Sequence, residues 1–152
     1  MTTRASAPLP LPLIIAEPPA RYAVRPPLVV DSSMLCALLF DEAERDEGAR
    51  RLVDRQLFAP NLLDHEIVNV ALKKLRAGLP VRAVALALSD YSAYTIELRA
   101  TKPAEQYALA ERYGLSAYDA AYLWLAAELK APLATFDRKL GEAAQRHLGA
   151  LE

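Results

Sequence analysis

Two rhythms of apolar and polar positions run along the 152 residues. Short apolar runs bounded by polar residues occur at Leu28-Val29-Val30, Leu57-Phe58-Ala59 and Pro132-Leu133-Ala134-Thr135, with a weaker alternation over 94–98. Such runs have the length of strands, and continuous apolar ones suit strands buried on both faces. Between them, apolar residues recur at three- and four-residue spacing. This predicts helices over 34–40, 41–53, 61–77, 81–88, 104–113, 117–130 and from Asp137 to about 147. The 61–77 helix shows the spacing best, with Leu63, Ile67, Val70 and Ala71 on one side. Ser33, Asn61, Ser116 and Asp137 stand where caps are needed, Pro80 and Pro103 open helices, and Gly78 and Gly114 close them. Strands that alternate with helices, with no hairpin signal, predict an α/β fold. It is a three-layer α/β/α domain with a short parallel sheet and the Asp31 strand near its centre.

Residues 1–27 break this pattern. They hold seven of the eleven prolines, so neither a helix nor a central strand is compatible with them. They read as a mobile proline-rich N-terminal tail, or as an extended arm docked on this or another subunit, ahead of a domain spanning 28–152. The apolar part is short and interrupted by prolines, unlike a signal peptide. The 53% apolar and 24% charged content fits a globular domain, and the net charge of −1 gives no overall basic footprint for nucleic acid. A single cysteine, Cys36, excludes an internal disulfide framework and the usual zinc spacings, and its apolar surroundings predict a buried structural thiol. No stretch reaches the length of a membrane span, so the cytosol is the expected location.

The candidate chemistry is carboxylate chemistry. The sequence has no Gly-rich phosphate loop and no G-x-S-x-G elbow, and its histidines, His65 and His147, have no nucleophile partner and read as surface residues. Four acids stand in unusual places. Asp31 ends the first strand and Asp137 follows the last. Glu66 lies on the core-facing edge of the 61–77 helix, with Asn69 beside it, and Asp119 sits in the first turn of the 117–130 helix. Each also has a structural explanation. Ser116-x-x-Asp119 can be a capping box, with a cap worth roughly 0.5–2 kcal/mol, Asp137 can be a simple cap, Asp31 a turn residue and Glu66 an edge carboxylate. Brought together, four carboxylates would repel and raise one another's pKa unless a cation compensated, and hard oxygen donors favour Mg²⁺ or Mn²⁺.

The segments Leu28-Val29-Val30-Asp31-Ser32-Ser33, Glu66-Ile67-Val68-Asn69, Leu115-Ser116-Ala117-Tyr118-Asp119-Ala120-Ala121-Tyr122 and Thr135-Phe136-Asp137 resemble the four motifs of PIN-domain nucleases. More narrowly, they resemble the VapC-type toxins of toxin–antitoxin pairs. The resemblance covers about 28–148, and the proline-rich tail is the departure from it. It implies that Asp31, Glu66, Asp119 and Asp137 form a catalytic, metal-binding quartet for Mg²⁺ or Mn²⁺, supported by Ser32, Asn69 and Thr135. It also implies an endoribonuclease that leaves 5′-phosphate and 3′-hydroxyl ends, a homodimer, and a cognate antitoxin whose tail blocks the acidic cleft. Lys73, Lys74 and Arg76, with Arg138 and Lys139, could contact the RNA backbone, although cations at helix C-termini are also favoured by the helix dipole. Tyr118, Tyr122 and Trp124 read as core or dimer surface rather than as a base-stacking platform. The alternatives are a non-catalytic binding module of the same fold, or a phosphotransfer or receiver-type domain. The last is disfavoured because serines, not a second acid, follow Asp31.

Overall fold

The structure, a computed structural model, describes residues 25–151. Those residues form β1 (Pro27–Val30), α1 (Ser32–Leu39), α2 (Arg45–Leu52), β2 (Gln56–Pro60), α3 (Leu63–Arg76) and α4 (Val81–Ala93). The chain continues through β3 (Ile96–Arg99), α5 (Pro103–Tyr113), α6 (Ala117–Glu128), β4 (Leu133–Ala134) and α7 (Arg138–Leu148). Most of the proline-rich stretch lies outside the described residues, and its reading as a tail or arm with it.

The sheet is parallel throughout, in the order β3-β2-β1-β4, and a pair of helices makes each crossover. Val29 lies opposite both Phe58 of β2 and Leu133 of β4, which puts β1 in the interior. Consecutive residues Leu28, Val29 and Val30, and Leu57, Phe58 and Ala59, are all buried. Side chains alternate between faces along a strand, so burial at consecutive positions requires both faces of the sheet to be covered. α6 packs on β1, β2 and β4, and its run from Ala120 to Ala126 is buried without interruption. A helix that is apolar all round belongs inside the fold.

The topology also locates a site. From β1 the chain moves outward through β2 to β3, then crosses back to place β4 on the other side of β1. The strand order reverses between β1 and β4, and open α/β sheets bind ligands beyond the carboxyl ends of the strands at such a point. Asp31 and Thr135 are the first residues after these two strands.

Several boundaries differ from the sequence pattern for identifiable reasons. α1 is capped by Asp31, whose carboxylate accepts the Met34 amide, and Ser33 lies inside the first turn. Asp41 has a φ of 52°, a left-handed conformation that holds α2 back until Arg45. Asn61 does not cap α3: its amide donates to the Arg99 carbonyl and extends the ladder between β2 and β3. α4 runs on to Ala93 because Leu88 and Tyr91 still pack on the core. Lys130, with a φ of 49°, lies beyond the C-cap Leu129 and outside α6. His65 is exposed as expected, whereas His147 is half-buried, hydrogen-bonded through Nδ1 to the Tyr113 hydroxyl and edge-on to that ring.

Candidate functional site

Among the described residues Asp31 is the one charged residue that is buried, only 4% exposed. Three donors surround its carboxylate. Ser33 Oγ and the Met34 amide donate to Oδ1 at 2.7 and 3.0 Å, and Thr135 Oγ donates to Oδ2. The Asp31 amide in turn donates to the Ala134 carbonyl at 3.4 Å, the last link between β1 and β4. Ser33 Oγ also accepts the Phe136 amide at 2.9 Å, and Thr135 Oγ accepts the Asp137 amide at 2.9 Å. Two hydroxyls therefore clamp the end of β1 to the segment after β4. Burial pushes the Asp31 pKa above its ordinary value against the pull of these donors, and the charge of Asp137 adds to the push. Asp31 forms no ion pair with a described residue.

Glu66 projects from the first turn of α3. The buried Tyr122 hydroxyl of α6 donates to its Oε2. Burial raises the Glu66 pKa, the Tyr122 and Ser32 hydroxyls pull it back, and the charges of Asp31 and Asp119 push it up again. Beside Glu66 runs a groove of about 470 Å³ whose walls include Ser32, Asn69, Lys73 and Tyr118. Glu66, Asn69 or Val70, and Lys73 are spaced i, i+3 or i+4, and i+7, which places them along one face of α3.

The other two acids hold their own helix ends. Ser116 Oγ accepts the Asp119 amide at 3.0 Å and donates to Asp119 Oδ2 at 2.8 Å. Asp137 Oδ1 accepts the Leu140 amide at 2.8 Å as the cap of α7. Both structural roles foreseen for these residues are present. The four carboxylates influence one another in a chain, Asp137 on Asp31, Asp31 and Asp119 on Glu66. Among the described residues, no three acids, imidazoles or thiols lie close enough together to hold one ion.

The cations sort themselves. Lys73 lines the groove. Lys74 is bound to Glu42 at 2.8 Å and lies over the Phe40 ring, so its charge is spent on tying α3 to the segment after α1. Arg138 pairs with Glu142 one turn along α7, and Lys139 is exposed. The three aromatics of α6 divide as well. Tyr122 and Trp124 are core residues, the latter donating its indole N–H to Glu105 at 2.7 Å, whereas Tyr118 is exposed. Two supporting residues escaped the sequence reading. Ser33 was assigned to capping and carries the clamp instead. Tyr122 was visible only as a tyrosine inside an apolar helix, where a buried hydroxyl has to find a partner.

The donor set fits a hard divalent cation by its chemistry. It is all oxygen, it includes a buried acid that pairs with no cation among the described residues, and the mutual influence of the acids raises the cost of ionising them.

The fold is an α/β/α domain with a buried carboxylate, Asp31, at the switch point of its parallel sheet. The sequence profile of the PIN domain family matches residues 28–145, and the chain belongs to that family. It is 34% identical to Ribonuclease VapC3 of Pyrobaculum aerophilum over 76% of this chain and 92% of that protein. The crystal structure of PAE2754 from Pyrobaculum aerophilum superposes with a TM-score of 0.60 and 25% identity, covering 83% of this chain and 98% of the other.

Proposed function

We propose that this PIN-domain protein is a metal-dependent endoribonuclease, the toxin of a toxin–antitoxin pair, acting in the cytosol on single-stranded or loop RNA. The observation that carries the reading is Asp31: a buried, uncompensated carboxylate at the switch point, coupled to Asp137 and through Glu66 to Asp119. The ribonuclease name of the relative supports the substrate class. Resemblance to VapC-type toxins extends the proposal to a homodimer and an antitoxin that covers the acids.

Asp31, Glu66, Asp119 and Asp137 would hold Mg²⁺ or Mn²⁺, which when bound lowers the pKa of a water and stabilises charge on the attacking and leaving oxygens. The chain's own residues do the rest. Ser33 and Thr135 fix both oxygens of Asp31, so the carboxylate is aimed before any ligand arrives. Tyr122 does the same for Glu66 from the core. For Asp119 and Asp137 to join a shared cation site, their capping bonds to Ser116 and the Leu140 amide would have to be given up. Lys73 faces the groove as a contact for the RNA backbone.

The wide separation of the acids also supports a second reading, a PIN-like binding module without catalysis. Cleavage of single-stranded RNA with Mg²⁺ or Mn²⁺, wild type against Asp119→Ala, decides between them. The nuclease reading predicts cleavage to 5′-phosphate ends by the wild type and its loss in the variant. Equal cleavage by both, or none by either, refutes it.

A further inference from the structure

Tyr118 is 63% exposed, on the helix whose neighbouring aromatics Tyr122 and Trp124 are both buried. Leaving a phenol ring in water forgoes the burial that its two neighbours gain, so the core does not explain its position. It borders the groove that holds Glu66, Asn69 and Lys73, and it precedes Asp119 in the first turn of α6. The groove thus combines an acid, an amide, a lysine and an exposed phenol ring, with the imidazole of His65 also on its wall. That set matches single-stranded nucleic acid, which is gripped by a cation on its backbone and by aromatic rings under its bases.

We propose that Tyr118 is a stacking platform for one base of the RNA, and that Lys73 holds a phosphate of the same strand. The inference rests on the ribonuclease reading and adds to it a residue that binds substrate. Glu66 and Lys73 are seven residues apart on α3, about 10 Å along its axis. A phosphate at Lys73 is therefore separate from one at the acids, and a strand held at both ends crosses the groove that Tyr118 borders. A ring stacks on any base, so this contact gives affinity and orientation with little sequence preference.

The test is binding of a fluorescein-labelled, mixed-sequence single-stranded oligoribonucleotide to the full chain in EDTA, where metal-dependent cleavage is suppressed, followed by anisotropy across a salt series. Tyr118→Ala should weaken binding by roughly 5- to 150-fold, the range for one stacked base, while Tyr118→Phe, which keeps the ring, binds like the wild type. The slope of log Kd against log salt should be unchanged in Tyr118→Ala and reduced by about 0.7 in Lys73→Ala, because only the second removes a phosphate contact. Wild-type affinity in Tyr118→Ala, or an equal loss in Tyr118→Phe, overturns the stacking role. Absence of wild-type binding overturns it too. Metal-dependent cleavage by the wild type, measured separately, then shows whether the nuclease reading survives.

Discussion

Thr135→Val removes a hydroxyl at the clamp while keeping the shape of the side chain. Thr135 Oγ donates to Asp31 Oδ2 and accepts the Asp137 amide. The second loss is cheap, since that amide is exposed and water can replace the hydroxyl. The first is not, because Asp31 is 4% exposed and water has little access to it. A hydrogen bond to a charged, buried acceptor contributes about 1.5–3 kcal/mol, so a loss near 2 kcal/mol is expected. For a chain of this size that lowers Tm by about 4–8 °C.

The pH dependence of this loss has a definite sign. The Asp31 pKa in the folded protein lies above its ordinary value of 3.8. Such a group contributes stability that is fully present below the unfolded value and is lost as pH rises through the folded value. Thr135 is the strongest of the donors that hold the pKa down, so its removal pushes the folded value higher still. The deficit of Thr135→Val should accordingly be larger at about pH 7.5 than at about pH 4.5. Urea unfolding of wild type and variant at the two pH values measures it. A deficit under about 0.5 kcal/mol, or one equal at both pH values, would refute the clamp.

Other outcomes follow from the same contacts. Tyr122→Phe removes the hydroxyl that orients Glu66. Since Glu66 is only partly buried and water can reach it, thermal melts should show a modest cost of about 1 kcal/mol, and Mn²⁺ affinity should fall at mildly acid pH as the Glu66 pKa rises further. Cys36 is buried and its thiol is pushed up to about 12, so native protein should resist iodoacetamide at a mildly alkaline pH that alkylates the urea-unfolded chain fully. Rapid alkylation of the native state would contradict the placement of α1.

Much of this architecture is written locally. The apolar run of β1 followed by Asp31, and the three- and four-residue spacing along α3, follow from short-range periodicity alone. The parallel sheet follows from their alternation with helices. What escaped depends on partners far along the chain. Asn61 is drawn from a cap into a ladder by Arg99. Lys74 is held by Glu42, 32 residues earlier, and Tyr122 meets Glu66 across 56 residues. No local pattern encodes these pairings. Asp31 stands out because a carboxylate at a strand end breaks the apolar pattern, and Glu66 because it sits on the core-facing edge of a helix, whereas Ser33 and Tyr122 fit their local settings. Tyr118 shows the converse. Its grouping with Tyr122 and Trp124 suggests core or dimer surface, but Tyr118 lies in the first turn of α6, ahead of the buried run that starts at Ala120.

Asp31, Glu66, Asp119 and Asp137 are proposed to form one site for a hard divalent cation. Calorimetric titration of Mn²⁺ into the wild-type chain and into Asp31→Asn tests it without depending on any substrate. The account predicts saturable binding by the wild type, with a rise in stability of about 2.7 kcal/mol at a hundredfold excess of metal over Kd, and the loss of both in the variant. Equal Mn²⁺ binding by the two proteins, or none by the wild type, would contradict it.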